Sequence, residues 1–255
     1  MPLPDAHIHP VATGKAAELV AAHKTPQDLI FHSGWFCPFN QRVWVALEEK
    51  GIEYEYREVN PYHKSKDFLA INPKGLVPAI QHHGDALYES SILLEYLDDA
   101  FPETKPLLPS DPKKKALARI DIDYFSKKVN PAWFKLLQNQ DSSQEASLRA
   151  DLVDALKELT GRVQGPFYSG DDFGFVDIAV APFFARLYIL EENRGFKQSE
   201  VGEKFESWVS SCVNRKSIID STSDKEYYAE IYERYLSNQA QSQMAKETRG
   251  EKAHT

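Results

Sequence analysis

Phe36-Cys37-Pro38-Phe39-Asn40-Gln41-Arg42-Val43-Trp44 sets a thiol at the junction between an apolar strand and an amphipathic helix. Leu29-Ile30-Phe31, just upstream, reads as the end of a buried strand. Pro38 suits the first helical position, where its missing N–H costs nothing and its φ is already helical. Phe39, Val43, Ala46 and Leu47 then recur at helical spacing, and Gly51 closes the helix. Cys37 is thereby the expected N-cap, facing unpaired N–H donors and the positive end of the helix dipole. A thiolate is stabilised in such a place, and comparable thiols titrate at roughly 3.5–7.5 instead of about 8.5. Burial as an inert residue is the commoner fate of a lone cysteine. A strand-to-helix turn, however, is a surface feature.

Outward from this segment, residues 29–100 alternate strand and helix. Strands are expected at 29–32, 53–59, 77–80 and 86–88, with helices at 37–50, 64–70 and 89–100. The order βαβ followed by ββα implies a small mixed sheet covered by helices. Prolines 102, 106, 109 and 112 then forbid both helix and central strand, so residues 101–112 read as a rigid linker and domain boundary. Beyond it the periodicity is helical throughout 113–238, with helices at about 111–137 (bent at Pro131), 143–163, 175–190, 198–214 and 224–238. Residues 1–28 show no clean period and read as an N-terminal extension, and polar residues 239–255 read as a disordered tail. Phe173-Gly174-Phe175-Val176-Asp177-Ile178 places Gly at an N-cap, Asp at N3 and a Phe–Ile staple across the helix start. Asp177 is thus a folding residue.

Composition narrows the function. The net charge of −8 argues against a general nucleic-acid-binding face, and Lys113-Lys114-Lys115 reads as a solvated helix start. Two cysteines, 37 and 212, are too few for a disulfide framework in 255 residues; a reducing compartment fits better. No apolar run has the length of a membrane span, and residues 1–28 lack a signal-peptide core, so a cytoplasmic protein is expected. Asp5-Ala6-His7-Ile8-His9 looks like the His-x-His strand of metal-dependent amidohydrolases. That fold needs further ligands on later barrel strands, and His is absent between 84 and 253, so no metal is expected. Cys212 lies within a helical pattern and is expected to be buried and inert.

Four segments together resemble the cytosolic glutathione transferases of the cysteine type, the omega group with its lambda and dehydroascorbate-reductase relatives. They are Cys37–Arg42, Asn72-Pro73-Lys74-Gly75-Leu76-Val77-Pro78-Ala79, Tyr88-Glu89-Ser90-Ser91, and the Phe173–Asp177 staple. The first three lie in the family's order and spacing. Gly174 departs from the usual Ser or Thr but is a serviceable N-cap. The resemblance implies an α/β thioredoxin-like domain followed by an all-α helical bundle, with glutathione as co-substrate and a homodimer as the assembly. Val77-Pro78 looks like the family's cis-proline turn, whose Val backbone pairs with the cysteinyl part of glutathione; alone, the pair would be only a strand start. Glu89 and Ser90 match the pair that binds the γ-glutamyl end, with Glu89 free to meet its ammonium group. Taken alone, Ser90 is equally an N-cap. Lys64 matches a lysine that meets the glycyl carboxylate, although a lysine in a polar loop is ordinarily just solvated. Phe39 follows the cysteine as in the family, its backbone beside the glutathione sulfur and its ring expected in the core. Tyr124 and Trp133 are candidates for a second-substrate pocket, against the simpler reading of bundle core. Their spacing of nine leaves open which of them would serve.

The resemblance also implies a mechanism. Tyrosine- and serine-type transferases stabilise the glutathione thiolate, whereas a cysteine in that place becomes the attacking group. Asn40 stands where a Cys-x-x-Cys pair has its second thiol, so the cycle is expected to use one protein thiol and glutathione as resolving thiol. Expected substrates are glutathionyl mixed disulfides, dehydroascorbate and α-thioketones, with weak conjugation of aryl halides. Two competing readings are a non-catalytic glutathione-binding regulatory module and a specialised glutathione lyase or reductive dehalogenase on the same thiol.

Overall fold

The computed structural model describes residues 8–251. These form two compact units, residues 8–110 with 214–228 and residues 111–213 with 229–251. Asp5, Ala6 and His7 of the His-x-His segment lie outside the described residues.

The first unit opens with helix α1 (Gly14–Ala22) and strand β1 (Ile30–Ser33), then α2 (Pro38–Lys50), β2 (Glu55–Glu58), α3 (Lys66–Ile71), β3 (Ala79–His82), β4 (Asp85–Tyr88) and α4 (Ser90–Ala100). The sheet order is β2-β1-β3-β4, with β1 and β2 parallel and the other two pairings antiparallel. Element ends differ from the sequence expectation by one or two residues. Phe31, Val43, Leu47, Ile80, Leu93 and Leu97 are fully buried between the sheet and the packed pair α2 and α4. Each is worth about 1.5–3 kcal/mol of burial. Gly51 ends α2 at φ 63, the left-handed cap that only glycine adopts without cost. The proline-rich 101–110 segment is tied down rather than merely stiff. Asp98 accepts hydrogen bonds from the Leu107 and Leu108 N–H groups at 2.7 and 3.0 Å and from Lys50 Nζ at 2.9 Å.

The second unit contains α5 (Pro112–Tyr124), α6 (Asn130–Gln138), α7 (Glu145–Thr160), α8 (Phe175–Phe184), α9 (Leu187–Arg194) and α10 (Glu203–Val213). α5 and α6 form one rod joined by a π-helical turn over Phe125–Val129. Pro131 lies just beyond and has no N–H to donate into the preceding turn, which is where helices bend or widen. Asp177 accepts from Gly174 N at 3.1 Å, Tyr168 N at 2.8 Å and Trp208 Nε1 at 2.6 Å, which makes it the hub of the α8 start. Cys212 is buried beside it.

Several expectations are corrected. Residues 14–22 of the supposed extension are helical; Thr13 N donates to Ser223 Oγ at 3.1 Å and Asp224 N to Thr13 Oγ1 at 3.0 Å. The anticipated boundary is crossed a second time, because residues 214–228, with helix α11 (Lys216–Asp220), pack in the first unit. Two polar clusters hold them there. Glu49 accepts from Arg215 and Ser217, and Gln41 donates to Ser221 and Thr222. The helix expected over 175–190 breaks at Arg186 (φ −113, ψ 4), whose guanidinium turns back onto the Pro182 carbonyl at the end of α8. After α12 (Lys225–Leu236), the supposed tail forms α13 (Gln243–Thr248), capped by Ser242, with Ala245 buried. No helix among the described residues is long and apolar enough to cross a membrane.

Candidate active site

The turn that delivers Cys37 is fixed from three sides. Val59 N donates to the Ser33 carbonyl at 2.6 Å, and both Cys37 N and Asn40 Nδ2 donate to the Gly34 carbonyl at 3.0 and 2.9 Å. A Cβ on Gly34 would sit 3.0 Å from the Val59 carbonyl oxygen, a tight contact that would push the two segments apart by a few tenths of an ångström. Trp35 N donates to the Glu58 carboxylate at 3.0 Å, and Tyr56 Oη donates to its second oxygen at 2.9 Å. Burial pushes Glu58 up to about 7, against the pull of those two donors.

Cys37 is half-buried, has extended backbone (φ −81, ψ 124) and is the N-cap of α2, with Pro38 in the first turn. Neither cysteine is in a disulfide. Asn40, in place of a second thiol, is buried and spends its amide on Gly34. One turn further along α2, Arg42 is 2% exposed, lies 5.0 Å from the Phe39 ring centroid and donates to Ser90 Oγ at 3.3 Å. Burial lowers its guanidinium to about 9, and the charge of the Cys37 sulfur opposes that shift. Phe39 is half-buried under Arg42 rather than placed in the core, a correction explained by the guanidinium covering its face.

Strand register brings the other segments to the same end of the sheet. Ala79 pairs with His32 on β1 and with Tyr88 on β4. The residues before Ala79 therefore run beside those that follow His32 and Tyr88. Val77-Pro78, a cis peptide, lies between the Gly34–Cys37 turn and Glu89-Ser90. Ser90 is buried at the first turn of α4. Glu89 adopts φ 76 and ψ 108, a region costly for a side chain with a Cβ and kept where the surroundings over-determine it. Its carboxylate is not free, as the sequence reading had it, because Lys74 Nζ donates to it at 2.8 Å. Both partners are about half exposed, so the pair is screened by solvent and yields readily to another cation. Asn72 organises this loop, donating to the Leu76 carbonyl at 2.8 Å and accepting from Lys74 N at 3.1 Å. Lys64 is exposed and lies over Gly75, where a Cβ would be 2.5 Å from Lys64 Cδ.

The two remaining candidates belong to the helical unit. Tyr124 donates to Glu158 at 3.0 Å and carries Arg162 over its ring, and burial with the Glu158 contact pushes its phenol up to about 12. Trp133 is 2% exposed and packs edge-on against Phe134, Phe183 and Tyr232.

Three site residues escaped the sequence reading. Glu58 carried a signal, as a carboxylate that alternation puts on the same strand face as Tyr54 and Tyr56. Arg42 carried a weaker one, a charge three residues from Phe39 on an otherwise apolar helical face. Lys74 carried none.

Residues 36–100 match the family profile "Glutathione S-transferase, N-terminal domain", and residues 116–209 match "Glutathione S-transferase, C-terminal domain". Glutathione S-transferase U19 of Arabidopsis thaliana is 35% identical over 80% of this chain and 94% of its own length. Glutathione S-transferase 3 of Glycine max is 32% identical over 81% and 95%. Among solved structures, glutathione transferase Omega 3C from Trametes versicolor superposes with a TM-score of 0.86 at 48% identity, over 91% of this chain and all of that one. Rice GST1, solved in complex with glutathione, gives a TM-score of 0.73 at 31% identity over 80% and 94%. Two domain matches in the right order, relatives aligned over most of both chains, and a thiol at the head of α2 agree: the chain belongs to the glutathione S-transferase family.

Proposed function

We propose that this transferase is of the cysteine type and carries out glutathione-dependent thiol transfer, with dehydroascorbate reduction as a related activity. The observation that carries the reading is the placement of Cys37, an extended N-cap at the head of α2 and the positive end of its dipole. Likeness at 48% identity to an Omega-named structure supports it. Glutathione is the expected ligand of the surrounding groups: the Val77 backbone for its cysteinyl part, Ser90 and Glu89 for its γ-glutamyl end, Lys64 for its glycyl carboxylate and the Phe39 backbone beside its sulfur.

The cycle balances as two thiol–disulfide exchanges. The Cys37 thiolate attacks the glutathione sulfur of a mixed disulfide; the substrate sulfur leaves as thiolate and takes a proton from solvent. A second glutathione thiolate then attacks the glutathione sulfur on Cys37, releasing oxidised glutathione and restoring the Cys37 thiolate. Asn40 gives no second protein thiol at the helix head, which supports glutathione as the resolving partner. The assembly expected is a homodimer in the cytoplasm. Sedimentation at micromolar concentration tests the assembly.

The test is turnover with hydroxyethyl disulfide and glutathione. Cys37→Ala is expected to abolish turnover while glutathione binding by calorimetry survives. Full activity in that variant would sink the proposal, and glutathione binding without turnover in the parent would favour a regulatory module.

A further inference from the structure

At the opposite end of the same sheet, Asp28, His82 and His83 each place one ligand atom within 4.8 Å of the other two. His82 ends β3 and is buried, while Asp28 and His83 are exposed. Consecutive strand residues point to opposite faces, yet these two imidazoles stack at 4.0 Å with 25° between their planes. The reason is the two-residue hairpin turn His83-Gly84, in which both residues have positive φ, 52 and 86. The turn swings the His83 ring onto the side of His82. Asp28, two residues before β1, brings its carboxylate to both rings: 2.5 Å from His83 Nδ1 and 3.7 Å from His82 Nε2.

The 3.7 Å separation is too long for a hydrogen bond. The other nitrogen of His82 is committed, with Nδ1 2.8 Å from Tyr96 Oη. If Nδ1 carries the proton and donates it to Tyr96, Nε2 turns a lone pair toward a carboxylate. A cation between them resolves that arrangement. A hydrogen-bonded second nitrogen is also the usual support of a ligating histidine. Ligands of a tetrahedral zinc ion, at 2.0–2.1 Å from the metal, stand about 3.3 Å apart, and the observed separations, 2.5 and 3.7 Å with none above 4.8 Å, bracket that spacing.

We propose that Asp28, His82 and His83 form a three-ligand site for a divalent ion of zinc character, with solvent in the fourth position and Tyr96 orienting His82. Two imidazole nitrogens and one carboxylate oxygen are a borderline donor set, suited to zinc and its neighbours rather than to calcium or magnesium. The site clips the start of β1 to the β3–β4 hairpin. Five residues of strand, roughly 17 Å at about 3.3 Å each, separate Asp28 from Ser33 at the thiol end. The ion is therefore structural and takes no part in thiol chemistry.

Zinc titration by calorimetry in the Cys37→Ser background, which removes the competing thiol, tests the site. One equivalent is expected at micromolar affinity or tighter, weakened at least 10-fold by Asp28→Ala and by His83→Ala. In the parent, long-range nitrogen NMR of the rings is expected to show zinc-dependent changes at His82 Nε2 and His83 Nδ1; this readout stands even if a variant folds poorly. Binding that persists unweakened in both variants, saturation only at millimolar zinc, or ring nitrogens that do not respond would overturn the proposal.

Discussion

Replacing Arg42 by methionine tests what activates the thiol. Arg42 is buried on the helix that Cys37 caps, donates to Ser90 and interacts electrostatically with Cys37. Methionine keeps much of the volume and removes the charge while leaving the helix N-terminus in place. A neighbouring cation moves a titration by about 1–3 pH units, and with the helix end retained the lower figure applies, about 1 unit or 1.4 kcal/mol. The alkylation midpoint of Cys37 with iodoacetamide is therefore expected to rise by about 1 pH unit. Intrinsic nucleophilicity rises with basicity at a Brønsted slope of about 0.4–0.5, so the high-pH plateau should increase about 3-fold. Well below the midpoint, the rate should fall by about 10-fold from lost thiolate and regain about 3-fold, a net loss of about 3-fold. The two profiles thus cross. Cys212, fully buried, does not contribute to the signal. Stability should change by about 1 kcal/mol or less, because the lost hydrogen bond to Ser90 is offset by relief from burying a charge. A midpoint that stays within about 0.3 pH units of the parent, or a profile scaled down without crossing, would refute the role given to Arg42.

The remaining expectations concern the frame around the thiol. Burial alone would raise the Glu49 carboxyl, but hydrogen bonds from Arg215, Ser217 and Lys105 outweigh it and hold it below its ordinary value. With the folded value below the unfolded one, Glu49 stabilises the fold above about pH 4.3 and loses that contribution as pH falls through its folded value. Glu49→Gln should cost about 1–2 kcal/mol in urea melts at pH 7, and the gap should close below about pH 4.3; a gap constant with pH would contradict the ion pairing. Asp177→Ala strands the Tyr168 N–H, the Gly174 N–H and the Trp208 indole, and should cost about 3–5 kcal/mol by chemical denaturation. Gly75→Ala at φ 62 should cost about 1 kcal/mol and displace the end of Lys64, and both it and Lys64→Met should raise KM for glutathione. An unchanged KM in both would remove Lys64 from the ligand set.

Helix periodicity, proline punctuation and the Cys37-Pro38 junction were enough to place the α/β domain, the helical domain and the thiol at a helix head, because these are local properties of consecutive residues. The breaks the sequence did not show are those decided by distant partners. Residues 214–228 read as part of the helical half, yet Arg215, Ser217, Ser221 and Thr222 satisfy buried groups on α2 and so fold with the sheet. The same holds at the site. Cys37, Val77-Pro78 and Glu89-Ser90 were legible as motifs, but the Lys74 partner of Glu89, the carboxylate under the Trp35 turn and the buried Arg42 against Ser90 arise from strand register and helix packing.

The sequence by itself located the candidate thiol. A cysteine followed by proline at the start of a helical pattern is placed at the N-cap through backbone rules alone, and Asn40 three residues on leaves no second thiol at the helix head. Only the tertiary structure decided what surrounds that atom and what lies at the sheet's far end. Asp28 and the His82-His83 pair are over fifty residues apart in the chain, and no spacing rule joins them; the antiparallel register of β1 with β3 does, because it lays the start of one strand beside the end of the other.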